Sequence, residues 1–309
     1  MIYNSPKANR YGIILAFVSA ILFGLNASTT KVVIDAGVPA DQLVLIRSGV
    51  SALLAGLVVL FTNRAAFKVR LKEVPMLLAF GVIGLALMQW AYSNAVSMLP
   101  VGIALLFEYT AIIIVPIAAR IIFKERTSKR FWIGVALVVS GLLVVSQIWV
   151  GGLRADGVFF AFLAAFLLAF YFLMGQHSGL TRDPMSTMFY TMLIATAFWF
   201  FVGGATLPDL ELGRWVSLEG NLTNVQLRLW APLAWLTVMG SFAPMAMGFM
   251  ALKLTTAAKV SITQTAEPIF AFLFGWLWLG QSMSALQAVG GALVIAGIVI
   301  AQRQKTEHI

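Results

Sequence analysis

Apolar residues occur in long blocks along this chain of 309 residues, and polar residues fall mostly between the blocks. Ten of the blocks are about 20 residues long, the length that a helix needs to cross the hydrocarbon core of a bilayer. Most connections between blocks are very short, so neighbouring helices are expected to run antiparallel in one bundle. The pattern therefore predicts an all-α integral membrane protein with ten transmembrane helices. These spans are predicted at residues 11–30, 42–62, 74–98, 101–123, 131–149, 157–176, 185–203, 229–251, 257–279 and 284–302.

Composition agrees with a membrane location, since 61% of the residues are hydrophobic and only 11% are charged. A soluble domain could not bury that much apolar surface. Cysteine is absent and there are only two histidines, which argues against disulfides and against thiolate or imidazole metal sites. No metal and no cofactor is expected.

Lysine and arginine residues are distributed unevenly between the two sides of the predicted bundle. Fifteen lie on the side of the N-terminus and four on the opposite side. Because positive residues are retained in the cytoplasm, both termini are expected there, in a multi-pass protein of the bacterial inner membrane. The net charge of +9 is then explained by this topology and by anionic lipid headgroups, and does not indicate nucleic-acid binding.

The two halves of the chain resemble each other. Residues 133–141 align with residues 289–297 at an offset of 156, and residues 12–17 align with 157–162 at an offset of 145. Each half has five helices, so the second half would lie upside down relative to the first, as in an inverted repeat. We therefore expect one repeat in residues 1–150 and a second in residues 151–309. Chance similarity between apolar helices is the alternative.

Short polar turns precede the last helix of each half. Lys124-Glu125-Arg126 is followed by Gly134 and Gly141, and Gly280-Gln281-Ser282 is followed by Gly290 and Gly297. These turns and glycines, together with the five-plus-five arrangement of helices, resemble the EamA-type family of the drug/metabolite transporter superfamily. Within that family, the chain resembles the YddG-like aromatic amino acid exporters. The resemblance implies ten helices and export of small metabolites, often amino acids. The second turn departs from the family's Glu-Arg pattern.

Ionisable residues inside predicted spans indicate a site, because each costs on the order of 2.5 to 3.5 kcal/mol to insert into a bilayer. Glu108 aligns with Gln264 at the offset of 156, and Glu267 lies one turn further along. The two acids could bind a substrate ammonium group or carry a coupled proton. The alternative is a neutral or paired carboxyl group that only joins helices. For Arg47, near the end of the second span, we prefer snorkelling to the interface over binding a carboxylate.

Prolines are expected to free backbone carbonyl groups within three spans. Pro268 cannot donate to the carbonyl of Gln264 and disfavours helical geometry at the preceding residue, which predicts a break beside Glu267. Pro116 and Pro244 would likewise free carbonyl groups in the fourth and eighth spans. Kinks used only for packing are the alternative.

Polar and aromatic residues of several spans are predicted to line a central cavity for an amphipathic small molecule. An interfacial aromatic belt with hydrogen bonds between helices is the alternative. The candidate substrate-binding residues are Asn26, Gln89, Trp90, Asn94, Glu108, Tyr109, Tyr171, Gln264 and Glu267.

Together with the family resemblance, these features favour a secondary transporter that exports small metabolites by alternating access. The expected substrates are amino acids, aromatic amino acids included. An exporter of drugs or other metabolites and a passive channel are the alternatives. An enzyme is not expected, because the sequence has neither a phosphate-binding loop nor a catalytic cluster of acids and histidines.

Overall fold

The computed structural model describes residues 6–99, 101–147, 149, 153–203, 210–280, 284–303 and 307–308. In this part of the chain, nine helices are long and apolar enough to cross a membrane. They correspond to predicted spans one to eight and ten, and span nine consists of two shorter helices. The prediction of an all-α membrane protein is confirmed.

Six spans are continuous helices, and three of them begin with a side-chain cap. The side chains of Ser128, Asp183 and Ser284 accept hydrogen bonds from backbone N–H groups in the first turns of spans five, seven and ten. The first helix extends several residues beyond its predicted ends. The continuous spans are one (Pro6–Asp35), two (Ala40–Thr62), five (Lys129–Ser146), six (Ala155–Thr181), seven (Pro184–Val202) and ten (Ala285–Gln302).

Four spans are interrupted, in pairs that correspond between the two halves. Spans three and eight each contain a π-helical segment, and spans four and nine are each broken by a short turn. Span three comprises Val74–Ala79, the π-helix Phe80–Leu87 and Met88–Met98; span eight comprises Trp230–Thr237, the π-helix Val238–Phe242 and Ala243–Leu254. Span four comprises Val101–Glu108 and Ala111–Ile122; span nine comprises Ala257–Gln264 and Glu267–Leu277.

The interruptions lie at equivalent sequence positions. Adding the offset of 156 to the break after Glu108 gives the break after Gln264. Adding it to Gly84 of the first π-helix gives Gly240 of the second. This correspondence supports the inverted repeat, which stays a prediction together with the division at residue 150.

Spans five and ten pack against each other through glycines. A Cβ atom on Gly134 would lie 2.6 Å from the carbonyl oxygen of Gly297, and one on Gly141 would lie 2.7 Å from that of Gly290. The contacts run in opposite directions along the two helices, so the helices are antiparallel. Glycines allow such close helix contact, and here they provide it within the bundle.

The loop before span eight forms a small cap over two helix ends. Strands Trp215–Ser217 and Gln226–Arg228 pair antiparallel. The backbone N–H of Asn221 donates to the carbonyl of Trp278 over 2.7 Å, and Arg214 donates to the carbonyl of Ala36. The cap thus joins the ends of spans nine and one.

Strands Glu125–Arg126 and Glu307–His308 also pair antiparallel, at the opposite end of the bundle. This pairing holds the turn after span four against the segment that follows span ten. Gln281 and Ser282 of the second predicted turn lie outside the described residues.

Candidate functional site

The breaks of spans four and nine meet through a single hydrogen bond. The hydroxyl of Tyr109 donates to Glu267 Oε2 over 2.7 Å. Glu267 begins the second helix of span nine, where the positive end of the helix dipole favours a carboxylate. The predicted break beside Glu267 is confirmed, and two predicted site residues from different halves are in contact.

Glu108 precedes Tyr109 and is buried, with 7% of its surface exposed. Its charge interacts with that of Glu267. No hydrogen bond to the Glu108 carboxyl group is found in the described part of the chain. Two acids within electrostatic range of each other are rare inside apolar spans, which marks the pair as a candidate site.

Arg47 points into the bundle rather than towards the interface. Its Nε donates to Ser241 Oγ over 2.6 Å and its Nη2 donates to the carbonyl oxygen of Gly240 over 3.4 Å. Both acceptors lie in the π-helix midway along span eight, and Pro244 cannot supply the N–H that would normally bond the Gly240 carbonyl. The snorkelling interpretation is therefore wrong, because the freed carbonyl and a serine hydroxyl provide acceptors inside the bundle.

Span one brings the Arg47 side of the site close to the Glu267 side. A Cβ atom on Gly240 would lie 2.3 Å from Asn26 Oδ1, so Asn26 packs directly on the segment that holds Arg47. Two residues earlier, Gly24 lets span one approach the backbone of span nine at Phe270 and Ala271. Arg47 and Glu267 accordingly lie within electrostatic range of each other.

A second polar group surrounds Gly248 of span eight. Gln264 Nε2 donates to Ser19 Oγ over 3.2 Å, and Ser19 Oγ donates to the carbonyl oxygen of Pro244 over 2.8 Å. A Cβ atom on Gly248 would lie 3.4 Å from the Tyr171 hydroxyl and 3.5 Å from Gln264 Nε2. Because glycine occupies this position, the polar tips of spans one, six and nine can converge there.

Tyr171 also has an aromatic environment. Its ring lies 5.6 Å from the ring of Phe80 and 5.9 Å from that of Phe249, measured between centroids. The ring of Phe172 is a third neighbour, at 5.4 Å. The second polar group is therefore bounded by an aromatic wall.

The predicted residues of span three are placed less centrally. Trp90 is 39% exposed and packs edge-on against Phe160 of span six at 5.3 Å. Asn94 donates to the carbonyl of Trp90 over 2.8 Å, and Gln89 is half-buried. The contacts described for Trp90 are with spans three and six and do not reach the carboxylates. Tyr92 of the same span does lie within electrostatic range of Glu108, Glu267 and Arg47, although it was not among the predicted site residues.

A hydrogen-bond network at the end of the bundle near Asn9 was also missed from the sequence. Gln176 Nε2 donates to Glu125 Oε1 over 2.6 Å, and Gln176 Oε1 accepts from the backbone N–H of Ala257 over 2.5 Å. Lys259 Nζ donates to Asn9 Oδ1 over 3.1 Å. Glu125, which supported only a family resemblance, is 3% exposed and joins the turn after span four to spans six and nine. The signal available in the sequence was an acid in a short polar turn before the last helix of the first half.

Comparison with known proteins identifies the family. A sequence profile of the EamA-like transporter family matches residues 10–147 and again residues 155–302. A solved crystal structure superimposes with a TM-score of 0.76 at 14% identity, covering 94% of this chain and 96% of the other, which shows the shared fold alone.

Curated transporters are similar over about three quarters of this chain. The threonine/homoserine exporter RhtA of Escherichia coli (strain K12) is 24% identical over 228 residues, covering 74% of this chain and 71% of the exporter. The uncharacterized transporter YdfC of Bacillus subtilis (strain 168) is 23% identical over 237 residues, covering 74% of this chain and 71% of its own length. Because the family profile covers nearly the whole chain in two copies, this protein belongs to the EamA-like transporter family.

Proposed function

We propose that this protein is a secondary transporter that exports small metabolites by alternating access across the bacterial inner membrane, with amino acids as the main candidate substrates. The observation that carries this proposal is the grouping of Arg47, Glu108 and Glu267 beside the interruptions of spans four, eight and nine. Ionisable groups are retained inside membrane spans where they contact a substrate or an ion. Interrupted helices at the junction of two repeats are typical of substrate sites in secondary transporters.

The similarity to RhtA supports an amino acid as the substrate, since that relative is named as a threonine/homoserine exporter. The rings of Phe80, Tyr171 and Phe249 are buried against one another, so they would have to part before a larger side chain could stack on them. We retain aromatic amino acids as candidate substrates. An uncharged apolar drug is a weaker candidate, because it would leave both an arginine and two acids without ionic partners.

Contacts at both ends of the bundle support alternating access over a passive channel. The Glu125–Gln176 network ties spans at the end near Asn9, and the loop strands cap spans one and nine at the other. A carrier needs a separable closure on each side of its site. Both closures consist of hydrogen bonds, which can exchange with water when they open.

Proton coupling is part of the proposal, with Glu108 as the carrier. Glu108 is buried, has a second acid as its electrostatic neighbour, and has no hydrogen bond among the described residues. Glu267 by contrast is engaged by Tyr109. A proton on Glu108 would relieve repulsion between the two carboxylates.

Uptake into liposomes tests the proposed function. We expect purified protein to move labelled threonine or phenylalanine at a saturable rate above that of empty liposomes. Arg47→Gln should lower that rate at least tenfold. Lys31→Gln is the matched control, because it removes a positive charge from an exposed pair with Asp35 and should leave transport unchanged. Absence of transport for every amino acid tested would contradict the proposal.

A further inference from the structure

The two opposite charges of the site are close but do not neutralise each other directly. No ion pair joins Arg47 to Glu267 in the described residues, where the ion pairs are Lys31–Asp35, Arg154–Asp156 and Arg182–Glu73. Arg47 is held by a serine hydroxyl and a backbone carbonyl, and Glu267 by a tyrosine hydroxyl. Neutral partners hold each group in place but leave its charge uncompensated.

Both groups also retain unused hydrogen-bonding capacity. A guanidinium group has five N–H donors, and the described contacts of Arg47 involve only Nε and Nη2. A carboxylate has about four acceptor sites, and Glu267 accepts one described bond, at Oε2. Each residue can therefore accept a ligand group without giving up the contact that positions it.

We propose that Arg47 binds the carboxylate and Glu267 the ammonium group of an α-amino acid zwitterion. This assignment rests on the proposed function and specifies the two subsites that would recognise the common part of the substrate. Both ligand groups are attached to one carbon atom, so one zwitterion would bridge two protein charges that lie within electrostatic range of each other and form no ion pair in the described residues. In the bound state, positive and negative charges alternate: the Arg47 guanidinium group, the ligand carboxylate, the ligand ammonium group and the Glu267 carboxylate.

The alternation of charges accounts for selectivity on energetic grounds. Breaking a buried charge pair by removing one partner is strongly unfavourable, because the remaining charge is left without compensation. An amino acid amide lacks the negative group and would bring a second cation next to Arg47. An N-acetyl amino acid lacks the positive group and would bring a third carboxylate next to two acids. Neither analogue fits the site as well as the zwitterion.

Glu267 is preferred over Glu108 for the ammonium subsite. Glu267 is oriented by the hydroxyl of Tyr109 and is within electrostatic range of Arg47. The carboxyl group of Glu108 has another acid, Glu267, as the ionisable neighbour that acts on it. Asn26 of span one packs against the same segment of span eight that Arg47 contacts. Its side-chain amide would lie beside the zwitterion.

Competition by substrate analogues tests the assignment. Proteoliposomes would take up labelled threonine or phenylalanine, whichever the wild-type protein transports, in the presence of the unlabelled acid, its amide or its N-acetyl derivative. In the wild type we expect the amide and the N-acetyl derivative each to compete at least about tenfold more weakly than the acid, as loss of a hydrogen bond to a charged group predicts. Wild-type protein that accepts the amide as well as the acid would overturn the inference without any variant.

Variants separate direct recognition from a structural role. In Arg47→Gln, the amide should compete with labelled uptake about as strongly as the acid does. The N-acetyl derivative should still compete more weakly than the acid, by the same factor as in the wild type. Glu267→Gln should do the reverse. Arg47→Lys keeps the charge and should retain the preference for the acid, which guards against misfolding of the Gln variant. Reduced transport with both preferences for the acid intact would show that these residues only support the fold. Wild-type protein that transports no amino acid would instead refute the proposed function.

Discussion

At the residue scale, the site pairs buried charges with neutral partners and not with each other. Arg47 bonds to Ser241, and Glu267 bonds to Tyr109. An internal ion pair would be more stable in the empty protein but would compete with a charged ligand. The arrangement therefore keeps the charges available to a ligand inside the bundle.

Replacement of Glu108 tests its role as the proton carrier. Glu108→Gln removes the titratable proton while keeping the shape of the side chain, so downhill transport should persist and its acceleration by a pH gradient should be lost. The groups that act electrostatically on Glu108 and its neighbour Glu267 are Tyr92, Tyr109 and Arg47, and they remain in place. Uptake with and without a gradient provides the measurement.

The control for this variant is Glu211→Gln, which alters an exposed acid of the loop before span eight. A Glu108→Gln variant that still responds to the gradient would rule out Glu108 as the coupling group. In that case Glu108 would serve only to join helices, and Glu108→Ala should lower thermal stability together with all activity.

Sequence reasoning identified the acids but not the arginine. Glu108 and Glu267 stand out because ionisable residues are rare within apolar spans. Arg47 was misinterpreted because snorkelling depends on whether a nearer acceptor exists inside the bundle, and that acceptor belongs to a residue almost 200 positions away. Trp90 shows the opposite difficulty, since helical spacing predicts a shared face without specifying which neighbour that face contacts.

At the element scale, interruptions of the helices set the positions of the functional groups. The break in span nine follows from Pro268 and was predicted. The break in span four lies at Tyr109 and Thr110, with no proline there, and Pro116 sits inside the intact second helix. No helix-breaking residue marks this position, so local sequence did not reveal the break.

Close contact between spans five and ten gives a prediction for stability. Gly134→Ala would place a methyl group 2.6 Å from the carbonyl oxygen of Gly297, which forces the helices apart. Overpacking of this kind typically costs about 1–3 kcal/mol. Thermal unfolding of the purified protein in detergent should therefore show a lower midpoint than for the wild type.

Gly49→Ala is the matched control, since its added Cβ atom would meet Thr196 at 3.6 Å, an ordinary contact distance. We expect that variant to unfold close to the wild-type midpoint. Equal midpoints for the Gly134 and Gly49 variants would contradict the close crossing of spans five and ten.

At the scale of the whole molecule, the fold was predictable and the orientation remains to be tested. Periodic apolar blocks predicted the all-α bundle because a bilayer requires each spanning segment to satisfy its own backbone hydrogen bonds. The family profile matches in two copies, consistent with the resemblance between the halves. The YddG-like branch stays a prediction, because such a branch depends on substrate contacts that a shared turn does not specify.

Labelling of introduced cysteines tests the orientation, since the chain has none of its own. Leu222→Cys, in the exposed turn between the two loop strands, should react with a membrane-impermeant maleimide on intact cells. Lys72→Cys, which is exposed between spans two and three, should react only after the cells are opened. The reverse pattern would place the termini outside and contradict the expected cytoplasmic location.

The central claim is that one site opens alternately to the two sides of the membrane, and counterflow tests it most directly. Proteoliposomes preloaded with unlabelled threonine or phenylalanine would be diluted into a trace of the same labelled amino acid. An alternating carrier returns with label bound each time it releases the unlabelled substrate, so the label should accumulate transiently above its external concentration. Label that rises only to equality, with no overshoot, would indicate a passive channel and contradict the account.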